Sequence, residues 1–156
     1  MLSALLSLVD KENVMKGVSH VAVGVSDMVR SLPFYRDLLG LEVMLDTEEK
    51  IGSGSRHAVY LRWAKDSGFL VLSQTLGREA SGKPLRLHQV GLHHFAFWVE
   101  DLEKRVEKLK SAGEKIIVPP YAADSIAYGE KSGGKVLTCL FEDPDGTILQ
   151  FDQRMH

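Results

Sequence analysis

A chain of 156 residues with 44% apolar and 26% charged side chains has the composition of one globular domain, or of two half-size modules sharing a core. A formal charge of −2 leaves no basic footprint, so nucleic acid is excluded as a main partner. Cys139 stands alone, which rules out an intrachain disulfide and paired-cysteine zinc sites and makes a reducing, cytoplasmic setting the expectation.

The first segment, residues 1–16, opens on the apolar run Met1–Val9 and then meets Asp10, Lys11 and Glu12. It has no basic start and no small-residue cleavage pattern, so it reads neither as a signal peptide nor as a membrane span. Leu2, Leu5, Leu6 and Val9 recur at helical spacing. The expectation is a short amphipathic N-terminal helix docked on the domain or on a partner subunit.

From Gly17 onward the chain repeats itself. The runs His20-Val-Ala-Val-Gly-Val-Ser-Asp27-Met and His94-Phe-Ala-Phe-Trp-Val-Glu-Asp101-Leu share the order His, apolar, Ala, apolar, any residue, Val, polar, Asp, apolar. One interval separates both the histidines and the aspartates. Strands are expected at Gly17–Val25 and Gly91–Val99. Ser26 or Asp27, and later Asp101, stand where an N-cap belongs, helices follow over Met28–Leu39 and Leu102–Ala112, and Gly40 and Gly113 close them. Pro33 disturbs the first helix and predicts a loose start that becomes regular from Leu32.

Three short strands follow in each copy: Leu41–Asp46, Arg56–Trp63 and Phe69–Thr75, then Lys115–Val118, Lys135–Phe141 and Thr147–Asp152. Gly77–His88, rich in charge and carrying Gly82 and Pro84, reads as a connection. Pro119–Gly134 reads as a long, lid-like loop bearing Tyr121 and Tyr128. The predicted fold is α+β. Two tandem βαβββ modules, residues 17–76 and 91–156, flank a linker over 77–90 and form a barrel-like cleft, with the N-terminal helix added.

Strand parity sets His20 beside Ala22 and His94 beside Ala96, with Val21, Val23, Phe95 and Phe97 on the opposite, packed faces. Each small alanine leaves room beside an imidazole. A lone strand histidine is ordinarily structural, but two at matched repeat positions point to a shared site. Parity aims His93 away from it.

The halves resemble the repeated modules of the vicinal oxygen chelate superfamily, which contains glyoxalase I, fosfomycin-resistance enzymes, extradiol dioxygenases, methylmalonyl-CoA epimerase and bleomycin-resistance proteins. The carrying residues are His20-Val-Ala-Val, Ser31-Leu-Pro-Phe-Tyr-Arg-Asp-Leu-Leu-Gly40-Leu, His94-Phe-Ala-Phe with Val99-Glu-Asp-Leu, and Phe141-Glu-Asp-Pro-Asp-Gly146, and the match spans residues 17–153. The resemblance implies a metal held by a first-strand and a last-strand residue of each module. His20 and His94 match the first-strand ligands. The last-strand ligand of the second module, usually glutamate, falls four residues after the glycine of Asp143-Pro-Asp-Gly146, at Gln150. In the first module Val71 or Leu72 stands there, and neither binds metal.

The implied ligand set is therefore His20, His94 and Gln150, three positions as in extradiol dioxygenases and fosfomycin enzymes, without the usual carboxylate. Asp152, two residues on and on the same face, is the candidate to supply one. His57 on the third strand is a further cleft candidate, against the plainer reading of a satisfied or exposed histidine. Asp143–Gly146 reads as a turn, and Glu103, Lys104, Glu107 and Lys108 as a solvated helix face.

What the resemblance implies is a metal-dependent enzyme. A divalent ion (Fe, Mn, Zn or Ni) would chelate two neighbouring oxygens of a small-molecule substrate and act as a Lewis acid. The reaction is ring-opening dioxygenation, or lyase, isomerase or transferase chemistry. Three ligand positions lean toward the dioxygenase arrangement, and the missing carboxylate leans away from Fe(II). One alternative is a metal-free protein sequestering an aromatic or drug-like molecule. Another is a metal-free enzyme using His20 or His94 as general base, helped by Asp152. A homodimer is expected, with no membrane partner.

Overall fold

A computed structural model of the chain describes residues 15, 17–131 and 133–155. The expected N-terminal helix lies outside the described residues. The elements run β1 (His20–Gly24), α1 (Met28–Pro33), a π-helical turn (Phe34–Leu38), β2 (Glu42–Ile51), β3 (Gly54–Arg62) and β4 (Phe69–Leu76). The second set is β5 (His94–Trp98), α2 (Leu102–Ser111), β6 (Ile116–Asp124), a 3-10 turn (Ser125–Tyr128), β7 (Lys135–Glu142) and β8 (Ile148–Met155). The β-α-β-β-β order thus occurs twice. Each set makes one four-stranded sheet, in the order β1-β4-β3-β2 and β5-β8-β7-β6. The first strand lies parallel to the last in both, and the other pairs are antiparallel. The sheets do not close into a barrel; their edge strands β1 and β5 border common clefts instead.

The two halves repeat down to their helix starts. The Met28 N–H donates to Gln74 Oε1 at 2.8 Å, and the Leu102 N–H donates to Gln153 Oε1 at 2.8 Å. A glutamine of the last strand thus serves a helix N–H that no intrahelical carbonyl can reach. Asp27 adds an ordinary cap, accepting the Val29 N–H at 2.9 Å. Asp101 makes no such bond and pairs instead with Arg105, 2.6 Å away.

Around Pro33 the order of regular and irregular turns is the reverse of the expectation. The α-helical turn comes first and the widened turn follows, with the Leu39 N–H donating to Phe34 O at 3.0 Å, five residues back. Proline brings no N–H and crowds the carbonyl behind it, so the ladder slackens after it.

β2 and β6 run furthest beyond their expected ends, and β8 continues to Met155. β2 continues past Asp46 because Glu49 sits opposite Arg56, and paired opposite charges replace the apolar alternation that marks a strand in sequence. β6 continues through Pro119 and Pro120 because it is an edge strand with register shifts on both sides of Val118. The lid-like loop shrinks accordingly to residues 125–134.

The helices cover one face of each sheet, and one apolar core joins the modules. It includes Val23, Phe34, Tyr35, Leu61, Leu70, Leu102, Val106, Phe141 and Phe151. The seam between modules is polar as well. Tyr35 Oη donates to Asp143 Oδ2 at 2.8 Å, Arg30 donates to Pro144 O at 2.8 Å, and Ser26 donates to Asp145. Lys108 and Arg105 donate to the carbonyls that end the first helix. Asp143–Gly146 is the turn expected, and its first residue doubles as the anchor of the seam.

Candidate functional site

Residues paired across neighbouring strands share a face, so the register decides which side chains can meet. In the second sheet His94 lies opposite Ile148, Ala96 opposite Gln150, and Trp98 opposite Asp152. His94, Gln150 and Asp152 therefore stand on one face. Phe95, Phe97, Leu149 and Phe151 take the other, toward α2 and the core. The first sheet repeats the arrangement, with His20 opposite Phe69 and Ala22 opposite Val71. Val71, not Leu72, is thus the counterpart of Gln150, and the first module offers no donor there.

Each imidazole is held at one nitrogen. His20 Nδ1 lies 3.0 Å from Ser19 Oγ, and its ring stacks on Phe69 with centroids 5.1 Å apart. His94 Nδ1 lies 2.7 Å from His93 Nδ1, with the rings 4.7 Å apart. His93 is thus a partner of His94, where strand parity alone turned it away. In both candidates Nε2 meets no protein group among the described residues. Burial pushes the His94 pKa down, His93 adds to that, and the Asp152 charge opposes it. Its ring is neutral near pH 7, the state in which imidazole binds a metal or accepts a proton.

Gln150 is the oriented group of the second sheet. Its Nε2 donates to Asp152 Oδ1 at 2.8 Å and lies 3.5 Å from Tyr128 Oη. Tyr128 in turn donates to Asp152 Oδ1 at 2.9 Å. The amide nitrogen is thereby used, and the amide oxygen has no donor on it among the described residues. Asp152 is 3% exposed. Tyr128 reaches it from the 3-10 turn, which folds the remnant of the expected loop back over the sheet, and its ring packs on Trp98 at 5.5 Å. Burial and the Asp152 hydrogen bond raise the Tyr128 pKa, so the phenol is a donor at neutral pH.

His57 is not on this face. It pairs in register with Gln74 and Glu48 on the helix-side face of the first sheet, and its Nε2 lies 2.6 Å from Asp46 Oδ1. On the His20 face the first sheet carries a network that sequence parity missed. Arg56 donates to Glu49 Oε2 at 3.0 and 2.7 Å, and Tyr60 Oη donates to Glu49 Oε1 at 2.7 Å. The Tyr60 hydroxyl and the Arg56 guanidinium hold the Glu49 carboxyl below its ordinary range. With β2 expected to stop at Asp46, nothing in the sequence marked Glu49 as a strand residue.

A cleft of about 670 Å3 lies between the modules, walled by Val21–Ser26, by the connection from Arg78 to Leu85, and by Leu92–Phe95. His94 and His93 line it and His20 does not. A second, more apolar cleft of about 490 Å3 is lined by Val21, Leu41, Trp63, Phe97 and Arg105 among others. Among the described residues, no three of His, Cys, Asp and Glu converge as a metal site. His94 and Gln150 share a face of the second sheet and His20 stands on the matching face of the first, with no contact joining His20 to either among the described residues; the donors so placed are two imidazoles with Nε2 available and one free amide oxygen. That mixture fits an imidazole-preferring ion of the Mn-to-Zn series better than Ca or Mg, which take oxygen cages.

Comparison with known proteins agrees with this architecture. Residues 19–130 match the profile of the Glyoxalase/Bleomycin resistance protein/Dioxygenase superfamily. A probable lactoylglutathione lyase of Synechocystis is 26% identical over 134 residues, covering 86% of this chain and 92% of that protein. A probable chloroplastic lactoylglutathione lyase of Arabidopsis thaliana is 27% identical over 143 residues, 92% of this chain, which spans only 37% of that relative's length. The crystal structure of a glyoxalase family protein from Bacillus cereus superposes with a TM-score of 0.75 over 94% of this chain and 99% of that one. At 14% identity it speaks to the fold alone. The duplicated βαβββ fold and the match over most of its length place this chain in the glyoxalase/bleomycin resistance/dioxygenase superfamily.

Proposed function

We propose that the chain is a divalent-metal enzyme acting on a small, oxygen-bearing substrate, and that His20, His94 and Gln150 would hold the ion. The observation that carries this reading is the duplicated register. A first-strand histidine, an alanine two residues on, and the facing last-strand position recur in both sheets, and in the second that position bears a free amide oxygen.

When bound, such an ion supplies Lewis-acid polarisation of adjacent substrate oxygens. The chain's own groups do the rest. Ser19 and His93 occupy the Nδ1 atoms and leave Nε2 as the donor of each ring. Ala22 and Ala96 keep the space beside the rings clear. Trp98 and Tyr128 wall the face beyond Gln150. Lyase or isomerase chemistry is favoured over dioxygenation. Two relatives at 26% and 27% identity are probable lactoylglutathione lyases by name and another at 26% is a 4-hydroxyphenylpyruvate dioxygenase by name, so the preference rests on the carboxylate that the usual Fe(II) triad requires and the ligand positions lack. The homodimer belongs to the same proposal and is supported by exposed Val18, Val90 and Leu92.

The test is metal analysis of protein purified without chelator, for the wild type, His20→Ala and Gln150→Ala. A stoichiometric ion lost from His20→Ala supports the reading. A wild type that arrives empty and takes up no Mn2+, Ni2+, Zn2+ or Fe2+ on dialysis ends it. The second reading, metal-free sequestration of an aromatic molecule, is supported by the apolar cleft in which Trp63 meets Phe97 edge-on at 5.7 Å. It predicts ligand-dependent quenching of tryptophan fluorescence in the metal-free protein.

A further inference from the structure

We propose that Asp152 is a positioning residue for Gln150, and that the negative charge missing from the ligand position is retained two residues along the same strand. The role toward a metal rests on the reading above; the orientation of the amide does not.

A side-chain amide presents an oxygen at one edge and an NH2 at the other, and the two edges are nearly equal in shape. Left alone, Gln150 could turn its NH2 outward, where its hydrogens would repel a cation. Asp152 removes that choice. Its Oδ1 accepts from Gln150 Nε2 at 2.8 Å, and a carboxylate cannot accept from the amide oxygen. Tyr128 Oη donates to the same Oδ1 at 2.9 Å and lies 3.5 Å from Gln150 Nε2, so the two donors sit side by side on one carboxylate oxygen. The group is 3% exposed, and no Lys or Arg side chain pairs with it among the described residues. An isolated buried charge is costly, so a carboxylate held here by neutral donors is unusual unless its charge serves the site. His94 and Arg154 stand on the same face, and the Arg154 guanidinium is engaged by Glu130 and by the Trp98 ring. The hydrogen bond also draws electron density toward the amide oxygen, making a neutral donor a better one.

The pair explains why glutamine and aspartate occur together. Glutamate at position 150 would bring two carboxylates to hydrogen-bond distance with only the single Tyr128 hydroxyl hydrogen beside them. Exchanging both groups, Gln150→Glu with Asp152→Asn, restores the contact with the opposite polarity, an Asn NH2 donating to a Glu carboxylate.

The experiment compares the wild type, Asp152→Asn, Gln150→Glu and the double variant. Affinities for Mn2+ and Zn2+ are measured by titration, the Gln150 side-chain NH2 resonances by NMR, and thermal unfolding on metal-free protein. Asp152→Asn is expected to shift the Gln150 NH2 signals and weaken ion binding about 10–100-fold. The double variant is expected to recover most of that loss, and Gln150→Glu alone to unfold at a lower temperature than the wild type or the double variant. Unchanged Gln150 signals and affinity in Asp152→Asn overturn the proposal, as does a double variant that binds no better than Asp152→Asn. If the wild type binds neither ion, the metal reading fails while the amide resonances still decide the positioning role.

Discussion

Replacing Tyr35 by Phe removes a single oxygen from the seam between the modules. Tyr35 is 0% exposed, and its hydroxyl donates to Asp143 Oδ2 at 2.8 Å, a carboxylate itself only 4% exposed. The other oxygen, Oδ1, already accepts the Asp145 and Thr147 N–H groups at 3.0 and 2.7 Å, so no local donor replaces the phenol. A hydrogen bond to a charged group contributes about 1.5–3 kcal/mol. For a chain of this size that lowers the melting temperature by roughly 3–12 °C. Tyr60→Phe is the control, because its hydroxyl serves the Glu49 carboxylate on a more exposed face and its loss should lower the melting temperature much less.

The pH dependence carries a sign. Burial raises the Asp143 pKa, and the Tyr35 hydrogen bond opposes that rise. A carboxyl whose folded pKa lies above its unfolded value stabilises the protonated fold, so its contribution is present at low pH and is lost as pH rises through the folded pKa. Removing the phenol raises the folded pKa further. The Tyr35→Phe deficit should therefore be full at neutral pH and shrink on acidification through that range, as read from urea denaturation. A deficit below about 0.5 kcal/mol at neutral pH, or one that grows on acidification, would refute a hydrogen-bonded seam.

Three further outcomes can be checked in the same preparations. His57→Ala should leave ion binding unchanged, since His57 faces Asp46 on the helix side; a lost ion would contradict the register. Gln153→Ala strands the Leu102 N–H and should cost about 1 kcal/mol, as should Gln74→Ala at Met28, and the two costs should add in the double variant. Burial pushes the Cys139 thiol up to about 11, so an aromatic disulfide reagent at pH 8 should find one thiol after unfolding and none before. Fast labelling of the folded protein would show that β7 is not packed as described.

The repeat, the strand faces of His20 and His94 and the element order were legible because they are local patterns. Period-two alternation and a duplicated motif survive in one dimension. What stayed hidden were features made by pairing. β2 beyond Asp46 is held by Glu49 opposite Arg56, and no single-strand pattern reveals a partner. β6 tolerates Pro119 and Pro120 because it is an edge strand, which is a property of the sheet.

The amino-acid order alone determined that this chain is two βαβββ modules with a histidine at the head of each, because alternation and repetition are written along the backbone. Tertiary structure alone decided that Val71 answers to Gln150, that His57 turns away, and that Asp152 and Tyr128 hold the Gln150 amide. Those facts depend on register between strands and on a turn folding back across a sheet. Such placements come from contacts between residues far apart in sequence, and local patterns carry no record of them.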